Sequence, residues 1–326
     1  MCLSFGKSQQ LILIIMDKTA IIGAGPAGTS AAIYLSRFAH NVLLFDKKIS
    51  DGRTSMAPDL QNYLGHSDKL TGKEFINNIR QQIKRFPIEF IKEKVVEINQ
   101  SKNGIFNIII ENNHKFQVKY LIVAVGLFDG YIKLPNIDKY YDKSIFHCLA
   151  CDWWQNRNKK IVVAGNNEEA IFTAATIAKM EMPPKLSVVP TDENFSFDKE
   201  LIKISKKLKI QIYQSPIREI IGKNDVVQKI VLENGQNVEC QIIFETLGFI
   251  RRDKFLDKGN ISPERNEKGF IVVNFDNYES STTNLFAVGP CNDGPDQAII
   301  AAGEGAVATL EIHSRIMTEK FEGLNS

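Results

Sequence analysis

Gly23-Ala24-Gly25-Pro26-Ala27-Gly28 reads G-x-G-x-x-G and stands between an apolar run of strand type, Thr19 to Ile22, and a helix-like stretch, Thr29 to Phe38. No other feature narrows the possible folds as much. Gly23 permits a tight turn, Gly25 lets the backbone approach a pyrophosphate, and Gly28 lets the helix pack closely on the strand. The helix N-terminus, with Pro26 and Ala27 in its first turn, faces the anion. Val42 to Phe45 supplies the next strand and ends at Asp46, 18 residues after Gly28. A carboxylate there accepts from ribose hydroxyls and repels a 2′-phosphate, so the loop is predicted to hold a dinucleotide with an unphosphorylated ribose. The alternative is a glycine-rich turn beside a solvated Asp46.

The rest of the chain keeps the β/α alternation. Gly72 to Phe86 is predicted as an amphipathic helix. Lys94 to Ile98, Phe106 to Ile110 and Lys115 to Tyr120 are predicted as a meander inserted before the strand Leu121 to Val125. A second βα start occurs at Ile161 to Val163 with Gly165 to Ala170, and a long small-residue helix is expected from Gln297 to Met317. Two nucleotide-type units point to two cofactors and to an α/β fold with two Rossmann-like, three-layer domains, the second inserted in the first. The expected boundaries are 16–145 and 246–326 for the first domain, 146–245 for the second, and 1–15 as an extension.

With 326 residues, 44% hydrophobic and 24% charged, the chain is long and apolar enough to bury its own core. Lys plus Arg is 40 against 38 for Asp plus Glu, a balance too even to draw nucleic acid or a membrane by charge alone. The run Leu11 to Met16 is far shorter than the roughly 20 apolar residues of a membrane span, and with only Lys7 before it a secretory signal is not expected. Five cysteines without framework spacing point to a reducing, cytoplasmic compartment.

Two of those cysteines form Cys148-Leu149-Ala150-Cys151, followed by Asp152, Trp153 and Trp154. A C-x-x-C pair closes a small reducible loop, and such motifs lower one thiol's pKa toward neutrality. A zinc knuckle with His147 as third ligand, or a pair of inert thiols, are the competing readings; outside a metal site His147 either stabilises the thiolate of the cysteine beside it or is a plain structural histidine. No second ligand pair stands elsewhere at zinc spacing, and no metal site is predicted. The two tryptophans are read as core or domain-interface anchors, and Cys240 and Cys291 as small buried apolar residues.

From Met16 onward the chain resembles the low-molecular-weight thioredoxin reductase family and its dithiol-oxidase relatives. The resemblance rests on Gly23 to Gly28, Asn62-Tyr63-Leu64-Gly65, Ala124-Val125-Gly126, and the Cys148/Cys151 pair just before the second glycine unit. Gln297-Ala298 and Gly303-Glu304-Gly305-Ala306 of the last helix complete it. It implies FAD on Gly23, Gly25, Pro26, Ala27, Gly28, Asp46, Asn62, Gly126, Gly289, Asp293, Gln297 and Ala298, and a nicotinamide dinucleotide, NADPH or NADH, at Gly165. It further implies Cys151 as the thiol facing the flavin, Cys148 as the thiol that attacks the partner disulfide, and Asp152 as proton donor and acceptor. Electrons would run from NAD(P)H through FAD to the dithiol and on to a thioredoxin-like protein or small disulfide, in a homodimer. The alternative is a flavin enzyme working without nicotinamide, as a dithiol oxidase or fed by another carrier.

Three positions depart from the family pattern. Asn167 takes the place of the second unit's middle glycine, with Glu168 and Glu169 behind it. An acidic Thr191-Asp192-Glu193 stands where relatives carry a basic 2′-phosphate clamp. Pro290 replaces an aspartate that bonds the flavin chain, a bond expected to be lost or passed to Asn292 or Asp293.

Overall fold

The segments Lys18–Ile22, Asn41–Phe45, Ile88–Ile91, Tyr120–Val123 and Leu285–Ala287 are short and almost wholly apolar, the composition of strands covered on both faces. In the computed structural model, which describes residues 12–14, 18–47 and 52–324, they form one parallel sheet. Its spatial order is 285–287, 120–123, 18–22, 41–45, 88–91. Side chains alternate between two cores as the period of a strand requires. Ile21, Val42 and Leu44 pack under the helices Pro26–Arg37, Gly72–Ile83 and Ala298–Glu322. Ala20, Ile22, Leu43 and Phe45 pack against Ile98, Phe106, Ile108 and Phe116 of a second sheet. That sheet is the predicted meander, Val95–Gln100, Phe106–Ile110 and Lys115–Val118, and the segment Ile12–Ile14 runs parallel to its last strand.

These layers belong to one unit, formed by residues up to 128 and from 251 onward; residues 129–250 form the other. The second unit repeats the plan. Its parallel sheet has the order Ile145–Phe146, Ile242–Glu245, Lys160–Ala164, Lys185–Val189, Gln211–Ile212. Helices Leu149–Asn156, Glu168–Met180 and Lys199–Lys207 cover one face, and an antiparallel sheet of Ile217–Lys223, Val226–Leu232 and Asn237–Glu239 covers the other. The chain is thus α/β with two three-layer Rossmann-like halves.

Local chemistry sets the element ends. Thr71 and Glu74 close a capping box at the start of Gly72–Ile83, and Asp198 accepts from the Glu200 and Leu201 N–H groups at the start of Lys199–Lys207. The last helix runs five residues beyond the expected Met317, to Glu322. Its polar final turns are anchored by Glu319, which accepts from the Tyr120 hydroxyl and pairs with Lys119. Among the described residues no helix is long and apolar enough to cross a membrane.

Candidate active site

In the first unit the sheet order reverses between Lys18–Ile22 and Tyr120–Val123, which opens a crevice at the carboxyl ends of those strands. The predicted loop residues gather there. Gly23 adopts φ +105°, and a Cβ on it would strike the Ala124 carbonyl at 2.4 Å. A Cβ on Gly28 would stand 1.9 Å from the Gly23 carbonyl oxygen, so both glycines are demanded by the backbone itself. Gly25 is different. It is the N-cap of Pro26–Arg37, offers no side-chain cap, and has open space where a Cβ would be. The first turn of the helix carries no acid, leaving its N–H groups free to receive an anion.

The remaining residues expected around FAD lie in the same unit. Asp46 accepts from the Ala24 N–H at 2.7 Å, which holds its carboxylate at the mouth of the loop. Gly126 has φ +62° with open space beside it. Gly289 faces Ala27 and Ala301, with 3.3 and 3.5 Å between their methyls and an added Cβ. The Asn62 amide donates to Gln297 at 2.8 Å, tying the Asn62 loop to the start of the helix that Ala298 opens. Asp293 is exposed. Asn292 cannot inherit the bond displaced by Pro290, because it is turned inward. Its amide donates to the Ala287 carbonyl and Glu304, and its oxygen accepts from Gly294 N–H. Glu304, buried and held above the usual carboxylate range by that burial, also accepts from Gly289 N–H, so it fixes the turn around Pro290. An uncapped helix start, an acceptor at the ribose position and an open approach at Gly25 fit the pyrophosphate and ribose of FAD.

In the second unit Cys148 and Cys151 are joined as a disulfide. Cys148 is the N-cap of Leu149–Asn156, and its sulfur accepts from Cys151 N–H at 3.1 Å. Asp152 lies buried in the first turn and accepts from the Gln155 amide at 3.3 Å. Trp153 is half-buried and packs against the core of the unit. Trp154 does not: it is 66% exposed, with the Arg157 guanidinium 3.8 Å over its ring. A single exposed face on a two-turn helix leaves one of two adjacent tryptophans outside. Cys240 and Cys291 are buried, and burial pushes both thiols up to about 12.

The sequence points to His147 beside Cys148 but not to the groups that the imidazole meets, Glu245 and Tyr141. Ile145–Phe146 and Ile242–Glu245 are parallel neighbours with Phe146 beside Phe244, so the next residues, His147 and Glu245, meet at the sheet's carboxyl edge. His147 Nδ1 lies 3.2 Å from Glu245 Oε2. Glu245 also accepts from Ile132 N–H at 3.0 Å and from the Tyr141 hydroxyl at 3.1 Å, and the Tyr141 ring stacks on the imidazole. Burial pushes the Glu245 carboxyl up to about 7; the bonds from Ile132 and Tyr141 oppose that rise, and Asp129 adds to it. The signal was a lone acid closing the otherwise apolar Ile242-Ile243-Phe244 strand.

The second glycine loop is built differently from the first. Gly165 is required by packing, since a Cβ there would meet the Thr246 hydroxyl at 2.1 Å. Asn167 caps Glu168–Met180 by accepting from Glu169 N–H, and two acids fill the first turn. Asn166 bridges to the following strand's loop: its oxygen accepts from Thr191 N–H and its amide donates to Asp192, each at 2.7 Å. This arrangement presents a carboxylate, not a cation, beside the loop.

Residues 17–305 match the pyridine nucleotide-disulphide oxidoreductase family. Curated relatives include a thioredoxin reductase of Aquifex aeolicus, 29% identical over 312 residues and covering 92% of this chain and 93% of that protein. Another, from Buchnera aphidicola of Schizaphis graminum, is 27% identical and covers 90% and 95%. Among solved structures, thioredoxin reductase from Giardia duodenalis superposes with a TM-score of 0.81 at 27% identity, covering 92% of this chain and 98% of that one.

Proposed function

The chain belongs to the pyridine nucleotide-disulphide oxidoreductase family as an FAD-dependent enzyme of the thioredoxin reductase type, and from that premise we propose how its residues divide the work. Bound FAD supplies two-electron transfer between a nicotinamide and the dithiol. The residues assigned to hold it are Gly23, Gly25, Pro26, Ala27, Gly28, Asp46, Asn62, Gly126, Gly289, Gln297 and Ala298, with Asp293 at the rim.

Cys148 is the nucleophile and Cys151 the sulfur that exchanges electrons with the cofactor. What carries this division is the place of Cys148 at a helix N-cap, where the helix dipole and the Cys151 N–H favour a thiolate. In the reduced enzyme the Cys148 thiolate attacks one sulfur of the substrate disulfide; a mixed disulfide forms and the first substrate thiolate leaves. Cys151 then attacks Cys148 Sγ, the internal disulfide re-forms, and the second thiolate departs. Two electrons and two protons pass to the substrate, and Asp152, buried one residue from Cys151, is placed to supply and recover a proton. The relatives' names support a thioredoxin-like protein as the physiological disulfide. A homodimer and a cytoplasmic setting complete the reading.

For the donor, Asp192 beside the second loop favours NADH over NADPH. Anaerobic mixing of the yellow protein with each nicotinamide tests both levels. Bleaching by NADH at a lower concentration than NADPH is the expected result, and no bleaching by either overturns the nicotinamide-driven reading. The capped, acid-filled start of Glu168–Met180 favours one second reading, a dithiol oxidase that uses no nicotinamide. Peroxide release on adding a dithiol under air, without nicotinamide, identifies it.

A further inference from the structure

We propose that Glu245, acting through His147, holds the Cys148 thiol in its reactive thiolate form. Neither residue is needed for the division of labour above, and the proposal deepens that reading of Cys148 as the nucleophile. It stands on a juxtaposition that the sheet register enforces. Two parallel strands end side by side, and the first residues beyond Phe146 and Phe244 are an imidazole and a carboxylate 3.2 Å apart. Cys148 follows His147 directly and begins the helix.

The imidazole is fixed on two sides. Its Nδ1 faces Glu245, whose side chain is wholly buried, and its face lies on Tyr141, with ring centroids 5.5 Å apart and planes 17° from parallel. A carboxylate at Nδ1 stabilises the protonated ring and fixes its orientation, the role a buried acid plays toward a base elsewhere. Glu245 is itself positioned by Ile132 N–H and the Tyr141 hydroxyl. The other ionisable group facing it is Asp129, while Asp138 faces Tyr141. Burying an acid at the end of an apolar parallel strand is unfavourable without compensation; here the compensation is a shared proton one residue from a reactive sulfur. Burial raises the Glu245 carboxyl and so favours a proton there, and the imidazole 3.2 Å away is the group that can share it. While the imidazole carries it, its positive charge stands on the residue before Cys148 and adds to the helix dipole.

Acid–base balance is simple. The Cys148 Sγ–H bond breaks; its proton goes to the imidazole–carboxylate pair, which becomes the imidazolium, or to water where the pair already carries its proton, and the thiolate is left one residue from the imidazolium. When the sulfur attacks a disulfide, the leaving thiolate takes the proton up. Glu245 and His147 are therefore positioning residues for the nucleophile.

The test is the pH dependence of iodoacetamide alkylation at Cys148 in the full-length protein, reduced chemically under nitrogen and read by mass spectrometry of the Cys148 peptide. It needs neither nicotinamide nor a disulfide substrate. The wild-type midpoint is expected below the ordinary cysteine value of about 8.5. Glu245→Gln, which keeps size and acceptor, is expected to raise it by about one pH unit, lowering alkylation at pH 7 about tenfold. His147→Gln should do the same, Glu245→Asp should restore most of the shift, and the double variant should equal His147→Gln alone. Superimposable profiles for wild type and Glu245→Gln overturn the proposal. Should that variant fold poorly, superimposable profiles for wild type and His147→Gln, a change at a partly exposed site, overturn it equally. A protein whose midpoints shift as described yet never bleaches with NADH or NADPH keeps this inference and loses the donor assignment, so the two failures are told apart.

Discussion

Single glycines in this chain answer to different demands, and substitution separates them. Gly25 has room for a side chain and φ −74°, so Gly25→Val should fold with a melting temperature close to wild type while losing FAD, because the new branches fill the approach to the helix N-terminus. Gly28 has no such room, a Cβ meeting the Gly23 carbonyl at 1.9 Å. Gly28→Ala should therefore destabilise the protein, by at least the roughly 1–3 kcal/mol typical of overpacking. Thermal melts with and without added FAD check both: if Gly25→Val retains cofactor at wild-type affinity, the loop is not the pyrophosphate site. The motif spacing alone announced all three loop glycines. It also divided them into one that admits a ligand and two that serve the turn and the packing; what it left open is which atoms enforce that division, the Ala124 and Gly23 carbonyls.

The start of a helix is the element on which the two halves differ most. Pro26–Arg37 begins uncapped and without acids, whereas Glu168–Met180 begins with a capping asparagine and two glutamates. Gly is nearly as good an N-cap as Asn, within a few tenths of a kcal/mol. Asn167→Gly should thus leave stability almost unchanged and lower the KM for the nicotinamide several-fold, as read in steady-state assays. An unchanged KM would show that Asn167 does not crowd the dinucleotide. Strand limits were harder to read than helix starts. Ile217–Lys223 escaped prediction because a register shift between Ile217 and Glu219, and another between Ile221 and Gly222, break its alternation. Ile88–Ile91 escaped because four residues carry too little pattern.

Across the whole molecule, two parallel sheets place their chemistry at the carboxyl edges of their strands, and the second carries a buried acid there that makes stability depend on pH. Glu245 is raised from about 4.5 to about 7 in the folded protein, so the folded state favours its protonated form. Its contribution is fully present below about pH 4.5 and is lost as pH rises through about 7. Glu245→Gln, which has no such proton to lose, should gain on wild type between pH 5 and pH 8, by at most about 3 kcal/mol at roughly 1.4 kcal/mol per unit. A melting-temperature difference that is the same at both pH values would contradict this. The amino-acid order by itself determined the two βα units, the dinucleotide loop, the C-x-x-C and the acidic second loop, because each is a contiguous pattern whose chemistry lies in a few neighbouring residues. Only the tertiary structure decided that Asn292 turns inward, that Trp154 faces solvent, and that Glu245 meets His147 from 98 positions away. Those outcomes follow from strand register and from which face a core has room to bury, and no local stretch of sequence encodes either.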